Sequence, residues 1–217
     1  MEASREQTHF VLVHGACHGA WCWHKLKPRL ESAGHLVTAL DLAASGINMK
    51  AIRDVHTLHD YNQPLLDLLA SLPPNQKVVL VGHSLGGLNL ALAIDKYPEK
   101  VAVGVFVTAS MPDTTHKASY VLDQDFELAK TLVRPASLFR EDLSKTKNFS
   151  NEGYGSVLRV YVVCDEDLAM SEEFQRWMIE NSGAKDVMEI KGADHMPMLS
   201  KPQELCHCLL EIARKYA

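Results

Sequence analysis

A short apolar strand that runs directly into Gly82-His83-Ser84-Leu85-Gly86-Gly87 and then into helix-compatible sequence constrains this chain more than any other feature. Val78-Val79-Leu80-Val81 reads as a buried parallel strand, and Leu88 to Tyr97 reads as a helix that ends before Pro98. Joining the two over so few residues demands a tight strand-to-helix turn. Ser84 must sit in a strained backbone conformation at that turn. A Cβ on a flanking residue would collide with the neighbouring strand or helix, and Gly82 and Gly86 relieve that crowding. The turn lifts the serine hydroxyl above the sheet and aims the start of the next helix at it. Backbone N–H groups and the positive helix end then stabilise a developing oxyanion. The plainer reading is a tight loop with Ser84 as a helix N-cap; it leaves the remaining machinery of the chain without a role.

Strands alternate with helices along the rest of the chain. Phe10-Val11-Leu12-Val13 is a short strand ending at His14-Gly15, followed by helix-like sequence from Trp23 to about Ser32. Leu36 to Leu40 is a second strand closed by Asp41, and Thr57 to Leu72 has helical apolar spacing that stops at Pro73-Pro74. Val101 to Ala109 and Val157 to Cys164 are strands, with a charged, helix-prone stretch from Asp123 to Lys147 between them. Ser171 to Asn181 reads as a helix, Val187 to Ile190 as a last strand, and Pro202 to Tyr216 as a closing helix with Pro in its first turn. This order predicts an α/β fold: a mostly parallel sheet of about six strands covered by helices on both faces. At 217 residues the chain is one domain, residues 1–217.

Composition excludes several function classes. The net charge is −5 and no run of Lys or Arg exceeds two, which gives no footprint for nucleic acid or an anionic membrane surface. The N-terminus is polar, Phe10 to Val13 is too short for a signal sequence, and no stretch approaches a membrane span, so a cytoplasmic location is expected. The five cysteines form no even framework and fit reduced thiols. Cys17-His18 with Cys22 and His24 matches no zinc spacing, so no metal is expected.

A serine hydroxyl needs a base. Beyond a serine turn in a parallel α/β sheet, the partners follow in the order serine, acid, histidine. Of the later histidines, His207 lies within the closing helix and His116 precedes the last two strands. His195, in Gly192-Ala193-Asp194-His195-Met196, follows the last strand, where the base belongs. The acid should follow the penultimate strand, where Asp165, Glu166 and Asp167 stand in a row and spacing does not choose among them; Asp194 would point elsewhere. The oxyanion donors are assigned to the amides of Ala16, in the loop after the first strand, and Leu85.

With these residues placed, the chain resembles the plant methylesterase and hydroxynitrile lyase family of α/β-hydrolases. The likeness lies in Phe10 to Trp21, Leu26-Lys27-Pro28, Val37 to Leu42, Gly82 to Gly87, Arg134-Pro135, Glu173 to Trp177 and Lys191 to Met196. The resemblance implies Asp167 as the acid, and the same two oxyanion amides. It implies hydrolysis of small apolar esters, methyl esters foremost, with no cofactor. The family's lyases carry a threonine where this chain has Gly15 and a lysine where it has Met196, so cyanohydrin cleavage is the alternative that these two residues disfavour. His14, Gly15 and Met196 are the expected pocket residues.

Family members also carry a helical cap that excludes water and shapes the pocket, and roughly forty residues of it are missing here between Gln124 and Asp125. Residues 113–156 are then a cap remnant. A chain with so open a site is expected to act on small activated esters with weak discrimination. The other expectations are a ligand-binding protein with vestigial turnover, and association into a homodimer through exposed apolar surface.

Overall fold

The computed structural model describes residues 7–124 and 138–217. Six strands form one parallel sheet: β1 (His9–Val13), β2 (Leu36–Leu40), β3 (Val78–Ser84), β4 (Val101–Ala109), β5 (Leu158–Cys164) and β6 (Asp186–Ile190). Their spatial order is β2-β1-β3-β4-β5-β6. The central strands are continuous apolar runs because helices cover both sides of the sheet. Successive side chains alternate between the two faces. Phe10, Leu12, Val79 and Val81 pack with α1 (Lys27–Ser32) and the closing helix; Val11, Val13 and Leu80 pack on the other face with the helices after β2 and β3.

Those helices are α2 (Leu58–Ser71) and α3 (Gly86–Lys96). They are followed by two short helices, α4 (Ser119–Gln124) and α5 (Arg140–Lys145), then α6 (Glu172–Ser182), a single turn α7 (Pro197–Ser200) and α8 (Pro202–Tyr216). In α8 the buried residues Leu205, Cys206, Leu209, Ile212 and Ala213 form one stripe against the sheet. No helix among the described residues is long and apolar enough to cross a membrane.

Two sequence expectations shift. The segment from Trp23 to Ser32 is divided into a 3₁₀ turn (Ala20–Trp23) and α1. Pro28 has no N–H to give to the carbonyl four residues back, which suits it to the first turn of a helix, and that is where it stands in α1. Of the charged stretch from Asp123 to Lys147, α5 and the end of α4 are seen; residues 125–137, and with them Arg134-Pro135, lie outside the described residues, as do residues 1–6.

The strand order decides where a site can form. From β1 the chain crosses to one side for β2 and to the other for β3, so the loops leaving β1 and β3 diverge and open a crevice at the C-terminal ends of these strands. Ser84 is the last residue of β3, and His14-Gly15 follows β1.

α2 starts with a reciprocal cap. Asp60 N–H donates to Thr57 Oγ1 at 3.0 Å, and Thr57 N–H donates to Asp60 Oδ2 at 3.2 Å. Thr57→Ala is expected to cost about 1 kcal/mol and to lower Tm by about 2–4 °C, read by thermal unfolding.

Candidate active site

The turn after β3 has the strained geometry that its glycines imply. Ser84 has φ of +53°, a left-handed conformation that ordinary L-residues adopt only at a cost. A Cβ on Gly82 would stand 2.6 Å from Leu90 Cδ1 and 2.9 Å from Gly86 O. One on Gly86 would meet the carbonyl oxygens of His14 and Val13 at 2.8 and 2.9 Å, and one on Gly87 would meet Ser110 O at 2.2 Å. These glycines let α3 start against the ends of β1 and β4. Ser110 N–H donates to Ser84 O at 3.0 Å and pins the apex.

Three distant residues converge at this apex. Ser84 Oγ lies 3.1 Å from His195 Nε2, and His195 Nδ1 lies 2.7 Å from Asp167 Oδ2. A carboxylate only accepts, so the proton sits on Nδ1 and Nε2 is left to accept from the serine hydroxyl. Asp167 is buried, yet each oxygen is satisfied. Oδ2 also accepts from Thr108 Oγ1 at 2.5 Å, while Oδ1 accepts from the N–H groups of Ala169 (2.7 Å) and Met170 (2.8 Å). Burial pushes the carboxyl up, but the bond to His195, its charge, and the donations from Thr108 and Met170 outweigh this and hold it below the usual carboxylate range.

The neighbouring acids take other work. Asp165 accepts from Gly192 N–H at 2.7 Å, tying the loop after β5 to the loop after β6, and Glu166 is exposed. Asp194 Oδ1 accepts from Met196 N–H and Ser200 Oγ, turned away from the imidazole. The other late histidines are remote from Ser84 in their bonding: His116 pairs with Asp113 at 2.8 Å, and exposed His207 meets Gln203 at 3.0 Å.

The loop after β1 lies directly against the apex. A Cβ on Gly15 would be 2.8 Å from Ser84 Cβ and 3.0 Å from His83 Nδ1. The loop turns through Cys17, at φ of +62°, and is tied by His18 Nδ1–H donating to Ala16 O at 2.7 Å. Leu85 is the N-cap of α3, so its N–H belongs to the open end of that helix. Among the described residues, neither the Ala16 nor the Leu85 N–H is given to another backbone acceptor in a loop or turn.

His14 is held by backbone. It is fully buried; Leu42 N–H donates to its Nε2 at 3.2 Å, and its Nδ1–H donates to Gly15 O at 2.8 Å. With both nitrogens committed to backbone, it ties together the loops after β1 and β2. Burial lowers its pKa, so it serves as a neutral tie. Met196 is half-buried beside His195 and packs on the core.

Three supporting residues have partners that local spacing does not reveal. His83, fully buried, donates Nε2–H to His195 O at 2.6 Å, and its ring lies 4.8 Å from the His195 ring. Burial, then proximity to His195, holds its pKa well below the ordinary range. Gln175 of α6 accepts from Cys164 N–H at 3.0 Å and donates to Cys164 O (2.9 Å) and Met170 O (2.8 Å), clamping both ends of the loop that carries Asp167. Thr108 is the third. A clue for His83 was its place inside the serine motif, but its partner is 112 residues away.

A parallel sheet with a left-handed serine at the end of its third strand, facing a histidine and a buried aspartate from later loops, defines a hydrolase-type fold and site. Residues 10–207 match the alpha/beta hydrolase family, and the chain belongs to it. It is 50% identical to Salicylic acid-binding protein 2 of Nicotiana tabacum (98% of this chain, 99% of the relative) and 50% identical to Methylesterase 3 of Arabidopsis thaliana (100% of each). A crystal structure of polyneuridine aldehyde esterase superposes with a TM-score of 0.90 at 47% identity, covering 96% of this chain and 100% of that one. The alignment with the tobacco protein spans 258 positions where this chain has 217 residues, which leaves at least 41 positions without a counterpart here.

The Asp167 environment sets a sign for acid stability. Its native pKa is depressed, so in the window below about pH 4 the unfolded chain binds a proton that the native chain refuses. Its contribution is complete above the unfolded value and is lost as pH falls through the native one. Asp167→Asn removes this contribution, and its denaturant midpoint is expected to fall less steeply than that of wild type on going from pH 5 to pH 3. Equal slopes would contradict the assignment.

Proposed function

We propose that this chain is a serine carboxylesterase that hydrolyses small, fairly apolar esters, methyl esters foremost, through an acyl-enzyme. The observation that carries the reading is the continuous line from Ser84 Oγ through His195 to buried Asp167, set on a left-handed apex. Ser84 attacks the ester carbonyl while His195 Nε2 takes its proton. The amides of Ala16 and Leu85 hold the oxyanion. His195 then returns the proton to the leaving alcohol, and water, activated by the same imidazole, releases the acid. Asp167 keeps the proton on Nδ1 and stabilises the imidazolium. This chemistry uses no cofactor and no metal.

The names of the relatives, two of them a methylesterase and an aldehyde esterase, support the ester class. Gly15 and Met196 favour hydrolysis over cyanohydrin cleavage. In this geometry any side chain at position 15 would press on Ser84, whereas glycine leaves that approach to a substrate oxygen. The positions missing relative to the tobacco protein are assigned to a cap between Gln124 and Asp125, with residues 113–156 as its remnant within the single domain 1–217. A shorter cap removes one wall of the pocket, which fits small activated esters and weak discrimination. The polar composition fits a cytoplasmic protein, and exposed Ile47, Met49 and Leu168 supply apolar surface for a homodimer. A second reading, a carboxylate-binding protein with vestigial turnover, draws on the likeness to a protein named for binding salicylic acid.

Hydrolysis of p-nitrophenyl acetate separates these readings. Wild type is expected to turn over, and Ser84→Ala to lose about three or more decades in kcat. Mandelonitrile should release no cyanide above background. Equal, slow rates for the two proteins together with tight binding of an aromatic carboxylate would establish the binding reading instead.

A further inference from the structure

The end of β4 contains an irregularity that the fold alone does not require. From Val79 with Val103 to His83 with Val107, β3 and β4 pair residue for residue, but the next pair is Ser84 with Ala109. Thr108 is therefore an extra residue, a bulge at the rim of the sheet beside Ser84. Its φ is +35°, and it is fully buried. A β-branched residue is among the worst suited to a positive φ, because its two γ atoms crowd the backbone. Such a residue persists only where its surroundings over-determine it, and strained positions of this kind cluster at functional sites.

The bulge is held from several sides. Ala109 N–H leaves the strand ladder and donates to Tyr161 Oη at 3.0 Å, and Tyr161 reaches Met170 in the loop that carries Asp167. Ser110 N–H, just beyond, donates to Ser84 O. The consequence for Thr108 is that its hydroxyl meets Asp167 Oδ2 at 2.5 Å, the oxygen that also receives His195 Nδ1–H. One irregular segment thus contacts the nucleophile's carbonyl on one side and the acid's carboxylate on the other.

We propose that Thr108 is a positioning residue of the esterase reaction: the β4 bulge extrudes its hydroxyl to fix the rotation of the Asp167 carboxylate, so that Oδ2 faces His195 Nδ1. The inference rests on the reading of Ser84, His195 and Asp167 given above. Oδ1 is fixed by two backbone amides from its own loop, but those amides leave the carboxylate free to tilt about the Oδ1 side. The Thr108 hydroxyl comes from a different strand and closes that freedom. Its backbone strain is tolerated because the contact serves the reaction, so removing it should relieve the backbone while it harms turnover.

The test compares Thr108→Val, Thr108→Ala and Thr108→Ser with wild type, by steady-state p-nitrophenyl acetate kinetics, thermal unfolding and the downfield proton resonance of His195 Nδ1–H. Val and Ala should lower kcat by about ten- to a hundredfold, since a misplacement of reacting groups by about 1 Å can cost on the order of a hundredfold, with KM little changed. Ser should keep kcat within about twofold of wild type, since it retains the hydroxyl. Ala, which lacks the β-branch, should lose turnover without losing Tm, and the downfield proton should shift or broaden in Val and Ala but not in Ser. Wild-type kcat in Val and Ala would overturn the inference while leaving the esterase reading intact. So would a loss that Ser fails to rescue, or a loss in step with Tm. If wild type itself shows no turnover, the esterase reading fails, and the proton resonance alone decides: no difference between wild type and the Ala variant overturns the role of Thr108. Should Val not fold, the Ala and Ser pair carries the test.

Discussion

Ser84 is held at φ of +53° between a seven-residue buried strand and an eleven-residue helix, and the contacts that hold it there also arrange the chemistry. Gly82, Gly86 and Gly87 allow backbone to approach backbone at distances that any Cβ would forbid, which brings the loop after β1 and the end of β4 against the apex. That approach sets Gly15 against Ser84 and Ser110 N–H on Ser84 O. A strained serine is stable only because these neighbours are strand ends that over-determine its backbone.

The second dependence is the burial of Asp167. An ionised carboxylate in the interior survives only with its lone pairs occupied. Here two backbone amides, a threonine hydroxyl and an imidazole occupy them. This set holds the carboxyl ionised, and the ionised carboxyl fixes the His195 tautomer. His83 then steadies the same histidine from below through its carbonyl. Base and acid are thus each held by a residue from the central strands, which are the most deeply buried elements of the sheet.

Much of this was legible in the residues. The strand, the glycine spacing and the helix around Ser84 form a continuous local pattern, and a late histidine after the final strand follows from chain order. The choice of Asp167 over Asp165 and Glu166 was not visible in spacing, because all three share one loop and only the packing of α6 and β4 decides which turns inward. Thr108 and Gln175 were invisible for a similar reason: a buried polar residue in an apolar strand or an amphipathic helix carries no sign of its partner across the sheet. The tie that His14 makes between the loops after β1 and β2 was likewise not visible, because Leu42 lies 28 residues further along the chain. The helix through Trp23 to Ser32 failed at Pro28, a local signal that apolar periodicity overrode.

The central claim is that Ser84 is a nucleophile activated by His195. The most direct measurement is covalent trapping with a p-nitrophenyl phosphonate, followed by peptide mass spectrometry. The account predicts release of one equivalent of nitrophenolate per chain, with the phosphonyl group on the peptide containing Ser84, and no adduct in His195→Ala. No release, an adduct on another side chain, or equal labelling without His195 would contradict it.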